Sequence, residues 1–227
     1  MTNFDFLKKD EKFSSFADIA ITAEKLYGID TASCVFNVRR AAEFAVKWMY
    51  SLDGSLAMPY QDNFVTLINT VEFKDIVGND IFRRIDFIRL VGNTSAHSTR
   101  NIKPEQAELA LENLFYFLDF VAYCYADEYE EISFNAELLK AEPTPVAPIP
   151  EITVNIEKLI EENKALKEQL TQKREEQQPN YVPKPLDISE FKTRKVYIDT
   201  MLIDAGWVEG KDWYNEYELT GMPNKSE

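Results

Sequence analysis

Arg89, Asn93 and His97 stand four residues apart, a spacing that a regular helix lines up on one face. His97 is the only histidine in the chain, and histidine is the side chain whose ordinary pKa lies nearest neutral pH. The row can serve as a polar brace between helices, as a contact for a ligand or a nucleic acid, or as a catalytic set. The residues by themselves leave the three open, and bracing is the first expectation. Arg40 and Glu43 belong to the same candidate binding site. Glu43 is the expected counter-charge for Arg89 or Arg40, because paired charges tolerate partial burial.

Other chemistries find less support. Cys34 and Cys124 lie far apart with no Cys-x-x-Cys and no Cys/His cluster, so no zinc site is expected. Both sit in apolar helical patterns and read as buried free thiols. Phe115, Phe117, Phe120, Tyr123 and Tyr125 lack interleaved basic residues and read as core packing, not as a platform for stacked bases. The formal net charge of −14 argues against nucleic-acid binding through the overall field of the chain. The N-terminus MTNFDFLKKDEKF has no apolar stretch of the kind a signal peptide carries. Leu114–Tyr125, the longest apolar run, is interrupted by Asp119 and is too short to span a bilayer. A reducing, cytoplasmic setting is expected.

These residues need helices to position them. With 45% hydrophobic residues and seven glycines, the chain can fill a core, and its apolar periodicity is helical over residues 13–127. The spacing predicts five helices forming a bundle. The first is capped at Ser14 or Ser15 and stops at Gly28; the second is capped by Asp30, with Gly54 beyond its end. The third spans Asn63 to Val77 and is closed by Gly78, the fourth runs from Asp80 to Ala96, and the fifth opens at Pro104 and continues to Ala126. The expected division is a helical bundle domain over 1–140, a Pro-rich linker over 141–152, a coiled-coil-like helix over 153–178 and a last segment over 188–227. Ile152, Ile156, Leu159, Asn163, Leu166 and Leu170 alternate at spacings of four and three, as the a and d positions of a heptad do. That stripe suits either weak parallel homodimerisation through 152–173 or a docked spacer. In the last segment, a helix carrying Phe191, Val196, Ile198, Leu202 and Ile203 ends at Gly206, and Trp213–Leu219 reads as a strand.

Two stretches resemble known families. In FKTRKVYIDTMLIDAGWVEGKDWYNEYELTGMPN, the residues Thr193, Arg194, Ala205, Gly206, Trp207, Glu218, Thr220, Gly221, Met222 and Pro223 resemble the opening of the nuclease domain in type I restriction endonuclease R subunits. VRRAAEFAVKWMY and IRLVGNTSAHS, with Arg89, Gly92, Asn93, Ala96 and His97, resemble the helical module preceding that nuclease, itself similar to the HEPN superfamily. HEPN ribonucleases use an Arg and a His across a dimer cleft. Here Gly92 stands where that arginine would be, and seven residues separate Arg89 from His97.

The resemblance implies a mainly α fold with a truncated α/β nuclease start. It implies the N-terminal part of an R subunit with an interaction or regulatory role in ATP-dependent DNA cleavage. The alternative is a HEPN-like ribonuclease or a nucleic-acid- or nucleotide-binding module. Partners would be the other subunits of a type I restriction–modification complex, with DNA reached through that complex and no membrane. Mg2+ and ATP would serve the parent enzyme, whose Asp…Glu-x-Lys centre would follow the Thr-Gly-Met-Pro loop. After Trp213 this chain has Glu216, Glu218, Glu227 and Lys225, which do not make that motif, so no catalytic residue and no metal ligand are expected in it.

Overall fold

The computed structural model describes residues 1–97, 102–140, 157–184, 193–208 and 211–212. The protein is mainly α, a helical bundle, and no strand occurs among the described residues. Two compact units divide the chain, Met1–Leu186 and Asp187–Glu227.

The bundle is built from α1 (Ser14–Leu26), α2 (Thr31–Leu52), α3 (Phe64–Asn69), α4 (Val71–His97) and α5 (Pro104–Tyr125). Asp30 starts α2 as expected, its carboxylate accepting from the Ala32 amide at 3.0 Å. Pro104 opens α5, and the Gln106 side chain turns back to the Lys103 amide at 3.0 Å. Val35, Val38, Ala42, Ala45, Val46 and Met49 of α2 are all buried, as are Leu111, Leu114, Phe115, Leu118, Val121 and Ala122 of α5. In both helices the apolar residues at helical spacing form the core face. α5 is central, with Phe117 and Leu118 both inaccessible, while Glu108, Glu112 and Tyr123 keep partial access to water.

Between α2 and α5 the expectation needs a correction. The helix placed at Asn63–Val77 is interrupted at Thr70, whose ψ of 151° ends α3. Thr70 then accepts the Phe73 amide on its hydroxyl at 3.2 Å and so begins α4. Tyr50 holds the corner, donating to the Leu67 carbonyl at 2.7 Å while its ring stacks on Phe73. Gly78, expected to close a helix, does bend the backbone at φ 70°, and the helical run resumes directly after it to His97.

The first residues, which periodicity did not assign, form two 3-10 turns at Asp5–Lys9 and Glu11–Phe13. They bury Phe4, Leu7 and Phe13 fully, each side chain contributing about 1.5–3 kcal/mol relative to exposure. Phe13 and Phe16 meet the Trp48 ring edge-on at 5.4 and 5.8 Å, and Trp48 meets Tyr125 at 5.4 Å.

Beyond the bundle, α6 (Glu157–Gln177) leads into a short turn at Gln178–Asn180 and an extended strap to Lys184. Leu170, the last residue of the heptad stripe, is buried against the bundle, and the side chain of Asn163 lies outside the described residues. The end of α6 thus belongs to the first compact unit. In the second unit, a π-type turn at Thr193–Ile198 continues into α7 (Asp199–Asp204). Gly206 stops it at φ 87°, and the Trp207 amide closes the end on the Leu202 carbonyl at 3.0 Å. The strand expected at Trp213–Leu219 lies outside the described residues.

One clasp joins the chain start to the bundle. Asn3 donates through its amide to both Glu24 oxygens at 3.0 and 2.9 Å and through its side chain to the Asn135 carbonyl at 3.1 Å. Burial pushes the Glu24 carboxyl from 4.5 up to about 6, against the bonds from Asn3. The folded state therefore holds this proton more tightly than the unfolded chain, so its contribution is present at low pH and is lost as pH rises through 6. Urea unfolding should show wild-type stability falling by about 2 kcal/mol more than that of Glu24→Gln between pH 4.5 and 7. Parallel pH profiles for the two proteins would rule this out.

Candidate functional site

The expected row is divided among partners on and off its own helix. On α4, Arg89 turns back to Asp86, Nε to Oδ1 at 2.7 Å. Asn93, one turn on, accepts from Arg39 of α2, Nη1 to Oδ1 at 2.7 Å. The backbone of His97 ends α4, and its side chain lies outside the described residues. Glu43 pairs with Lys47 at 3.0 Å one turn along its own helix, and not with Arg89 or Arg40. Arg40 lies exposed on α2 with its guanidinium 5.8 Å from the Phe36 ring. The proposed counter-charge is thus overturned for a simple reason: short i, i+3 and i, i+4 pairs on one helix satisfy these charges without crossing the bundle.

Arg39 is the residue the sequence reading passed over. Its guanidinium reaches Asn93 and lies 6.0 Å from the Phe64 ring, and its Nε is buried with no acceptor among the described residues. Gly92 makes this possible. A Cβ built there would stand 2.6 Å from Arg39 Cδ and 2.8 Å from Arg39 Cβ, so α2 and α4 can approach this closely only over a glycine.

A second polar cluster lies where α6 meets the bundle. Asp53, just past α2, is fully buried. It accepts from Tyr125 Oη at 2.7 Å and from Arg174 Nε at 2.8 Å on one oxygen, and from Arg174 Nη2 at 3.2 Å and the Ser55 amide at 2.9 Å on the other. Burial pushes the Asp53 carboxyl up, but the bonds from Arg174, Ser55 and Tyr125, together with the Arg174 charge, outweigh it and hold the group ionised below its usual range. Burial likewise drives Tyr125 well above an ordinary phenol, with the Asp53 charge adding to it. The pair is a fork-to-carboxylate contact that fixes both distance and orientation.

Asp119 forms the third node. The residue that interrupts the longest apolar run is fully buried and accepts from Tyr129 Oη at 3.0 Å and Tyr181 Oη at 3.2 Å. Burial raises its pKa, and the tyrosine bonds and the Lys184 charge only partly oppose that. Tyr181 packs edge-on against Phe120 at 5.0 Å and tilted on Tyr123 at 5.2 Å. Phe115, Phe117, Phe120 and Tyr125 are buried, as expected of core packing. Cys34 and Cys124 are buried free thiols, and burial pushes Cys34 up to about 12.

Residues 22–142, more than half of the chain, match the domain of unknown function DUF4145. The chain belongs to the DUF4145 family. No curated protein and no solved structure matches it. Arg39, Asp53, Gly92, Asn93, Asp119 and Tyr125 all fall inside the DUF4145 segment, whereas Arg174 and Tyr181 lie beyond it. No helix among the described residues is long and apolar enough to cross a membrane.

The Gly92 contact generates a test with its own control. Gly92→Ala must push the Arg39 stem away and should cost about 1–3 kcal/mol in urea unfolding. Gly28→Ala, at a position with nothing within 4 Å of the added carbon, should stay within about 0.5 kcal/mol of wild type. Equal effects at the two positions would remove the close crossing as the reason for Gly92.

Proposed function

We propose that this chain is the N-terminal region of the R subunit of a type I DNA restriction–modification system, with the helical bundle acting as an interaction or regulatory domain in the cytoplasm. The observation that carries the reading is the ordered run of motifs after the bundle: Thr193-Arg194, Ala205-Gly206-Trp207 and Thr220-Gly221-Met222-Pro223. Its middle part has a physical reason for its residues. Gly206 takes the left-handed conformation that ends α7, and Trp207 returns its amide to Leu202. The family match by itself carries no activity.

The described residues do not fit a Mg2+ centre. Among the described residues no group of three or more His, Cys, Asp and Glu could hold a metal, and the sequence after Trp213 offers no Asp…Glu-x-Lys set. Cleavage chemistry is accordingly not assigned to this chain. Contact with partner subunits is assigned to the outer face of α2, where Phe36 and Phe44 are 46% and 43% exposed with Arg40 between them. Aromatic and arginine side chains are the types that anchor such contacts.

Two outcomes follow. The purified chain leaves plasmid and unmethylated linear DNA intact with Mg2+ and ATP; metal-dependent nicking that survives repurification would contradict this. Co-expressed with modification and specificity subunits of a type I system, the chain co-elutes with them on size exclusion, and Phe36→Asp with Phe44→Asp releases it. Elution of the wild-type chain alone would count against the R-subunit reading.

A further inference from the structure

Charge pairing on the bundle is incomplete at Arg39. Arg89 and Arg174 each hold a carboxylate, at 2.7 and 2.8 Å. Arg39 holds none among the described residues. Its Nη1 donates to the neutral Asn93 oxygen at 2.7 Å, its guanidinium lies 6.0 Å from the Phe64 ring, and its buried Nε has no acceptor. Glu43, one turn along α2, is engaged by Lys47 at 3.0 Å. A half-buried cation without an anion is unfavourable, and a sealed donor left unpaired carries its full desolvation cost.

Asn93 is incomplete in the same direction. Arginine can only donate, so the Asn93 atom facing Arg39 has to be the amide oxygen, which turns Nδ2 elsewhere. Among the described residues Nδ2 meets no acceptor, and Asn93 is only half-buried, so part of it reaches water. Arg39 and Asn93 thus bring unused donors from two helices to one place, and both lack an acceptor. The crossing over Gly92 presses them together, since a Cβ there would stand 2.6 Å from Arg39 Cδ. A brace alone would be better served by a carboxylate at position 93, because an ionised acceptor makes the stronger bond to a guanidinium.

Charge around the crossing selects the anion. The chain as a whole carries −14, which opposes a long polyanion. Locally, Arg40 follows Arg39 on α2 and also lacks a carboxylate among the described residues; it is exposed, with its guanidinium 5.8 Å from the Phe36 ring. Two arginines without counter-charge and an amide donor suit a phosphate monoester, which carries nearly two negative charges and three strong acceptor oxygens. A carboxylate offers one charge and two oxygens.

We propose that the α2–α4 crossing is a binding site for inorganic phosphate or a small phosphate monoester. Its oxygens accept from the Arg39 guanidinium and from Asn93 Nδ2, and Arg40 helps to draw the charge in. The anion supplies the counter-charge that the fold withholds from Arg39. This site goes beyond the partner contact assigned to Phe36 and Phe44 and is independent of the R-subunit reading.

Titration calorimetry on the full chain tests it at constant ionic strength, with inorganic phosphate as one probe and adenosine 5′-monophosphate as the other. Saturable one-to-one binding is expected. Equal affinities would show that the phosphate alone is read, and tighter binding of the nucleotide would show that the body attached to it is held as well. Asn93→Asp keeps the size of the side chain and places a carboxylate against Arg39. It should raise the melting point in phosphate-free buffer and weaken both probes about tenfold or more, because the new charge takes the arginine and repels the ligand. Arg39→Gln should weaken both by a similar factor, and if that variant does not fold, Asn93→Asp carries the test. Absence of saturable binding by both probes, or affinity unchanged in Asn93→Asp, would overturn the proposal.

Discussion

A carboxylate without access to water governs how this molecule is put together. Asp53 sits at the end of α2 with no exposed surface, and an ion in that position is tolerable only with a cation and enough donors around it. Tyr125 from the end of α5 and the Ser55 amide supply donors from nearby, but neither supplies charge. The charge arrives with Arg174, far along the chain. That requirement brings the end of α6 back onto the bundle. It also sets the course of the strap, which continues from Arg174 to place Tyr181 on Asp119.

The helical scaffold was readable where one physical rule dominates. α2 and α5 have uninterrupted apolar stripes, a capping Asp30 and an opening Pro104, and their core faces follow from periodicity alone. Thr70 was not readable as a break, because threonine is tolerated within helices and its capping role depends on where the next amide points. The N-terminal turns escaped for a related reason: Phe4, Leu7 and Phe13 do not repeat at a helical period, and their burial comes from packing on α1 and α5.

The polar nodes were legible only in part. Asp119 entered the sequence reading only as the charge that interrupts the longest apolar run, and nothing near it in sequence names Tyr181 as its partner. Asn93 was singled out for its spacing with Arg89 and His97, yet its partner is Arg39 from another helix. Spacing along one helix finds which residues share a face; it does not find what faces them. Leu170 completes the heptad spacing in the sequence, and in the structure it packs on the bundle of the same chain. Gly92, noted as a departure from a catalytic pattern, has instead a steric task against Arg39.

Family resemblance and folding integrity follow different boundaries in this protein. The matched segment begins at residue 22, within α1, yet Phe4, Leu7, Phe13 and Phe16 on the earlier side are all inaccessible to water. The rings of Phe4, Phe13 and Phe16 fill the space around Trp48 and Phe115. A polypeptide trimmed to the shared segment would therefore expose an aromatic wall and become adhesive.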